Sequence, residues 1–286
     1  MSGTQKHSFA LSALLALPLA LTVSLVGAPD MVQASESEAA ANPLVDEGSW
    51  ESIRGDILGD TVPAAAKGIV TLEAPYRADD AATVPVILSQ PGPTSAPISS
   101  AILVIDENPA PVAAELTFGP AMHPLNMELR VRVNQYSNVR LIARTPDGPV
   151  MDGRFVKASG GCSAPATRDP ELALSTMGEI RAKHFAQREA ASSQRREAQI
   201  MIRHPNYSGL QRDQITQLFI AAHFVDRIEV LQGDELLFTA EGGISLSENP
   251  VIRFAYTDNG SDSLTIRAQD TDGNSWEKVV SKGPAS

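Results

Sequence analysis

The sequence predicts an all-β protein: two immunoglobulin-like antiparallel β-sandwich domains joined by a flexible Cys-bearing linker. Three observations carry this. Short Val- and Ile-rich runs recur at regular spacing with Pro, Gly, Asn and Asp turn signals between them. No βαβ rhythm interrupts them, which disfavours a doubly wound nucleotide-binding fold. A stretch of small residues, 159–167, separates the two series of strands and reads as an exposed loop or linker.

Residues 1–34 come first and read as an export signal. Lys6 and His7 precede an apolar run over 9–26, broken by Pro18, and Val32-Gln33-Ala34 offers the small residues of a cleavage site. The rival reading is an uncleaved anchor helix, since the run approaches the length that spans a bilayer. Pro18 and the cleavage-like site favour the cleaved signal, which implies periplasmic localisation and no membrane association after cleavage.

The first domain, 35–158, opens with a helix over 46–58, where Trp50, Ile53 and Ile57 share a face. Strands follow at 68–72, 82–88, 101–106 and 114–118. The stretch 127–133 alternates, with Met127, Leu129, Val131 and Val133 on one face and Glu128, Arg130 and Arg132 on the other. That pattern predicts a half-buried strand whose charged side is wet. Strands at 139–144 and 154–157 flank the turn Pro146-Asp147-Gly148.

The linker, 159–176, contains Gly160-Gly161-Cys162-Ser163 and ends in a short helical turn begun by Asp169-Pro170-Glu171. The second domain, 177–286, starts with 179–185 and 197–203. Taken alone, 171–203 also suits a helix on its Ala, Glu, Arg and Gln content, but the alternation of the two segments favours paired strands. Five more strands fall at 224–231, 235–240, 251–257, 263–269 and 275–280, with turns at Gln232-Gly233-Asp234, Asp258-Asn259-Gly260 and Thr271-Asp272-Gly273-Asn274.

Composition excludes several functions. With 23 Lys and Arg against 34 Asp and Glu, the net charge is −11, unsuited to a phosphate backbone, so no nucleic-acid partner is expected. One cysteine cannot form an internal disulfide or a Cys-x-x-Cys pair. The five histidines, His7, His123, His184, His204 and His223, have no metal-site spacing. His123 and His204 each precede a proline at a turn, His223 reads as a satisfied core histidine, and Asp79-Asp80 as a solvated loop pair. No nucleophile elbow or phosphate loop is present. No metal, cofactor or catalytic constellation is expected.

Cys162 remains. As a lone cysteine it is either a small buried hydrophobe or, in its small-residue context, an exposed thiol able to act as a nucleophile or hold a sulfur group. Arg154, Lys157 and Arg168 are the nearby cations in sequence, and whether any of them lowers its pKa depends on distances that the sequence does not give.

The residues Val104-Ile105-Asp106-Glu107-Asn108-Pro109, the strand ending Arg130-Val131-Arg132-Val133, Pro146-Asp147-Gly148 and Gly160-Gly161-Cys162 resemble the SoxY sulfur-carrier subunit of bacterial thiosulfate oxidation. Arg203-His204-Pro205, Ser208-Gly209-Leu210, the segment 220–225 and the run Gly243-Ile244-Ser245-Leu246-Ser247-Glu248-Asn249-Pro250 resemble its partner SoxZ. The resemblance implies a carrier without its own catalysis. Cys162 would hold the cargo covalently on an arm of Gly160, Gly161 and Ser163, which visits a haem protein, a hydrolase and a dehydrogenase. The sequence departs from the family in that Ser163 and Ala164 follow the cysteine and the two parts are fused. Fusion resembles the SoxYZ-like carriers associated with quinoprotein (PQQ) alcohol dehydrogenases, and implies partners such as a SoxAX-like cytochrome c or a quinoprotein dehydrogenase, with a sulfur-containing small molecule as cargo. Two other readings stand beside it: a non-covalent module docking on a periplasmic dehydrogenase or cytochrome, and a thiol hydrolase or peroxidase.

Overall fold

The computed structural model describes residues 42–45, 48–165, 170–185 and 194–283. The export signal expected over 1–34 lies outside them. No described helix is long and apolar enough to cross a membrane.

Helix α1 (Trp50–Leu58) leads into eight strands: β1 (Ala64–Ala65), β2 (Thr71–Glu73), β3 (Val84–Ser89), β4 (Ser100–Ile105), β5 (Val112–Phe118), β6 (Asn126–Val131), β7 (Ser137–Thr145) and β8 (Gly148–Val156). Helix α2 (Pro170–Ser175) follows. Then come β9 (Ile180–Phe185), β10 (Arg195–Ile202), β11 (Val225–Gln232), β12 (Glu235–Gly242), β13 (Val251–Thr257), β14 (Ser263–Asp270) and β15 (Ser275–Ser281). The expected strands are all found, within a few residues at most ends. β8 begins well before the expected 154, and the two-residue β1 was not foreseen. β9 and β10 pair antiparallel, from Phe185 opposite Glu197 to Ile180 opposite Ile202. Strand wins over helix there because Ile180, Ala198, Ile200 and Ile202, at alternate positions, are buried in the common core.

The chain is almost all β with the expected sandwich-like layering, and its two halves are joined through their sheets. They share two continuous sheets. One runs β1-β8-β7-β4-β5-β12-β11-β14-β15, and the other β2-β3-β6-β13-β10-β9. The seams are β5 against β12, with Phe118 opposite Phe238, and β6 against β13, with Leu129 opposite Ile252. A single apolar core runs between the sheets and across the seams, where Phe238 on β12 and Phe254 on β13 meet edge to face with centroids 4.9 Å apart. Both seams consume strand edges that would otherwise be exposed.

Asp106 and Arg140 form a buried ion pair on β7 and the loop after β4, at 2.9 Å. Trp50 of α1 lies 4.4 Å from the Arg140 guanidinium, and Glu107 accepts the Ser49 N–H at 2.7 Å. The Asp106-Glu107 dipeptide thus anchors the helix to the sheet.

Candidate functional site

Cys162 lies just beyond β8, and its position corrects the sequence reading. The thiol is not on an exposed arm; the residue is fully buried. The chain turns inward after Ala158. Gly160 donates its N–H to the Asn134 carbonyl at 2.8 Å, Gly161 to the Val133 carbonyl at 3.0 Å, and Ser163 to the Gly160 carbonyl at 3.2 Å. From the second half, the Ser208 hydroxyl donates to the Cys162 carbonyl and the Gln211 amide to the Ala164 carbonyl at 3.0 Å. Gln211 also accepts the Ser208 N–H at 3.1 Å, so these two side chains act as one clamp.

The glycines permit this docking. A Cβ on Gly161 would lie 2.1 Å from the Ala81 carbonyl oxygen and 2.7 Å from that of Val133. Gly160 has φ of +79°, a left-handed conformation that favours glycine. Small residues gave the sequence no packing side chains to recognise, and their absence is what lets the backbone approach closely. Of the predicted arm, Ser163 is exposed while Gly161 and Cys162 are buried.

Arg132 is the second correction. Alternation placed it on a wet face, but it is 2% exposed. It stands just past the end of β6, where Ser245 of the second half accepts its N–H at 2.7 Å. Asn108 ties this corner together. Its amide donates to the Arg132 carbonyl at 2.7 Å and to the Ser245 hydroxyl at 2.8 Å, and its carbonyl accepts the Asn134 N–H at 2.8 Å. The alternation is correct as geometry, and Arg130 on the same face is exposed, but at Arg132 the Cys162 segment and the second half pack against the chain.

Burial pushes the Cys162 thiol up, and the charge of Arg132 opposes that only in part. The docked thiol is therefore protonated at neutral pH. Burial in turn lowers the Arg132 pKa, against the charges of Glu248 and Asp80 and, once it ionises, of Cys162. Among the described residues, neither Nε nor Nη1 of Arg132 has a hydrogen-bond partner. Of the cations near Cys162 in sequence, Arg154 pairs with Asp152 at 3.1 Å, Lys157 sits 4.7 Å from the Tyr76 ring, and Arg168 lies outside the described residues. Only the tertiary structure brings Arg132 to the thiol.

Beside the docked segment is a cleft of about 330 Å³ lined by Ser163, Pro165, Leu210, Arg212, Gln214 and Gln217. The adjoining loop exposes Ile215, Leu218 and Phe219 to solvent. A second cleft, of about 390 Å³, lies against β11, β14 and β15 and includes the charged pair Arg267–Glu277; no residue of the Cys162 segment lines it.

The structure also joins three residues that sequence spacing kept apart. His204 Nε2, His223 Nε2 and an Asp270 carboxylate oxygen converge within 4.8 Å of one another, a set that could hold a metal ion. Hydrogen bonds already account for it. Asn206 N–H donates to His204 Nδ1 at 3.0 Å, which leaves Nε2 to carry the proton of the neutral ring toward Asp270 at 3.4 Å. His223 Nε2 lies 2.7 Å from the same oxygen. His204 is lowered by burial and then by His223. Burial works against ionisation of Asp270, but bonds from Asn274 and His223 outweigh it and bring its pKa to about 2. His123 bonds Gln90 and the Pro93 carbonyl, and Asp80 caps its own turn.

Two family models match the chain: the sulfur oxidation protein SoxY over residues 54–162, ending on the cysteine, and the sulphur oxidation protein SoxZ over 183–281. Among solved structures, the sulfur carrier protein SoxY from Chlorobium limicola f thiosulfatophilum is 17% identical, with 44% of this chain and 99% of that chain covered at a TM-score of 0.33. A BSP domain of a biofilm-associated protein is 10% identical, with 76% of this chain and 30% of that one covered at a TM-score of 0.25. A search of curated proteins found no match.

Proposed function

The chain is a fusion of a SoxY and a SoxZ domain within the sulfur-oxidation carrier family, and on that premise we propose that it is a periplasmic covalent carrier that holds a sulfur-containing intermediate on Cys162. The supporting observation is the seat of this residue: the segment carrying the cysteine that ends the SoxY match is held to the first domain through Gly160 and Gly161 and to the second through Ser208. The thiolate is the nucleophile in sulfur transfer, and the docked thiol is protonated and enclosed. Loading therefore follows release of the segment, and docking shelters the thiol between visits. The signal-like segment over 1–34 supports a periplasmic site, and the fused arrangement supports a redox enzyme such as a quinoprotein dehydrogenase or a cytochrome c as the partner.

One observation favours a second reading, a non-covalent docking module: the thiol is buried while Ile215, Leu218 and Phe219 stand exposed on the adjoining loop. Intact mass of the mature protein isolated from its native periplasm without reductant separates the two. The carrier reading expects a reducible mass increment confined to Cys162, and a growth or oxidation defect with Cys162→Ser. A bare thiol under every growth condition, with Cys162→Ser cells behaving normally, leaves the docking module.

A further inference from the structure

Arg132 presents an unusual combination. It is 2% exposed, its Nε and Nη1 meet no acceptor among the described residues, and its charge acts on the one thiol of the chain. A buried guanidinium stays ionised, so its unpaired N–H groups are a standing cost that an acceptor would remove. The neighbouring carboxylates do not fill the role. Asp80 accepts from the Ala82 N–H at 2.9 Å and the Thr83 hydroxyl at 3.0 Å, and Glu248 accepts from the Asn249 amide at 3.3 Å; neither meets Nε or Nη1. The neutral thiol brings no charge.

We propose that Arg132 is the anion site of the carrier: while the Cys162 segment is docked, its guanidinium binds an oxyanion terminus, of sulfonate type, on the group attached to that cysteine. The inference rests on Cys162 being the attachment point and adds the chemistry that recognises what is attached. A planar fork of N–H donors suits two oxygens of one sulfonate, which an ammonium would meet only as a point charge. Docking then depends on cargo. An anionic adduct completes the corner formed by Arg132, Asn108 and Ser245, and an uncharged adduct leaves the guanidinium unpaired.

The test uses the mature protein carrying two adducts of like connectivity. Tetrathionate loads Cys162 as –S–S–SO₃⁻: the thiolate forms the new S–S bond and thiosulfate leaves with the electron pair of the bond that breaks. Methyl methanethiosulfonate loads –S–S–CH₃ by the same displacement, with methanesulfinate leaving. Intact mass checks complete loading. The sulfonate adduct is expected to melt about 3 °C or more above the methyl adduct. Arg132→Gln is expected to abolish that difference and to speed release of the sulfonate adduct by dithiothreitol about tenfold, with release of the methyl adduct little changed. Equal melting of the two adducts in the unsubstituted protein, or a difference that persists in Arg132→Gln, overturns the proposal. Should Arg132→Gln fail to fold, Arg132→Lys, which keeps the charge and loses the fork, is expected to shrink the difference. An unchanged difference in that variant overturns the proposal. Because the adducts are synthetic, a bare thiol in cells would remove the carrier reading without altering this result.

Discussion

Gly161 and Ser208 control whether Cys162 is enclosed, and they do so by different means. At Gly161 the backbone passes so near the Ala81 and Val133 carbonyls that a methyl group cannot be accommodated without moving main chain. Gly161→Ala should unseat the segment while leaving the sheets intact, since no strand includes it. Ser208 contributes a single hydrogen bond from the other domain. Ser208→Ala should loosen the segment by about 1 kcal/mol, which raises the transiently open population roughly fivefold. The rate at which Ellman's reagent modifies Cys162 under native conditions reads both. It should rise about fivefold in Ser208→Ala and further in Gly161→Ala. Rates equal to the unsubstituted protein in both variants would mean that neither contact holds the thiol shut.

The ends of β10, β11 and β14 are fastened by His204, His223 and Asp270, and this cluster gives the fold a pH dependence. His204 follows β10, His223 precedes β11, and Asp270 closes β14 while accepting the N–H groups of Asp272 and Asn274 in the turn to β15. His204 is held neutral by burial, with its pKa below the usual histidine value. Above about pH 6.5 both folded and unfolded states carry it neutral, so it costs nothing. As pH falls through that value the unfolded chain takes up a proton that the folded one refuses, and stability is lost. Asp270, with a pKa of about 2, adds a further loss below about pH 4. The melting temperature should therefore decline from pH 7 to pH 5. His204→Asn, which keeps an acceptor for the Asn206 N–H, should flatten the decline. His184, also lowered by burial, sustains part of the slope. A decline of the same steepness in His204→Asn would place the titration elsewhere.

Across the whole molecule, two sheets pass from one domain into the other, so the domains form one folding unit. Separating them exposes β5 and β12 in one sheet and β6 and β13 in the other, all carrying buried apolar residues. Such edges invite aggregation. Residues 35–165 and 170–286 expressed apart should be insoluble or self-associated, and expressed together should elute as a one-to-one complex. Two soluble monomers with cooperative melting would show that each half is independently stable. The fusion accordingly acts as a tether on surfaces already complementary, keeping the effective concentration high.

All the strands but the two-residue β1 and the first half of β8 are legible in the sequence, because alternation of apolar and polar residues is a local property set by the two-residue repeat of an extended chain. The sequence also picked out Cys162 and the motifs around it. Tertiary structure decided what those motifs do. Asn108 and Ser245 lie 137 positions apart and hydrogen-bond each other, and both bond to Arg132. Ser208 is 46 positions from the carbonyl it clamps. Arg132 obeys the alternation of its strand yet is buried, because its outer face is covered by segments from elsewhere in the chain. Local pattern records which way a side chain points. What covers it, and hence its charge state and chemistry, depends on contacts between distant residues that no local spacing encodes.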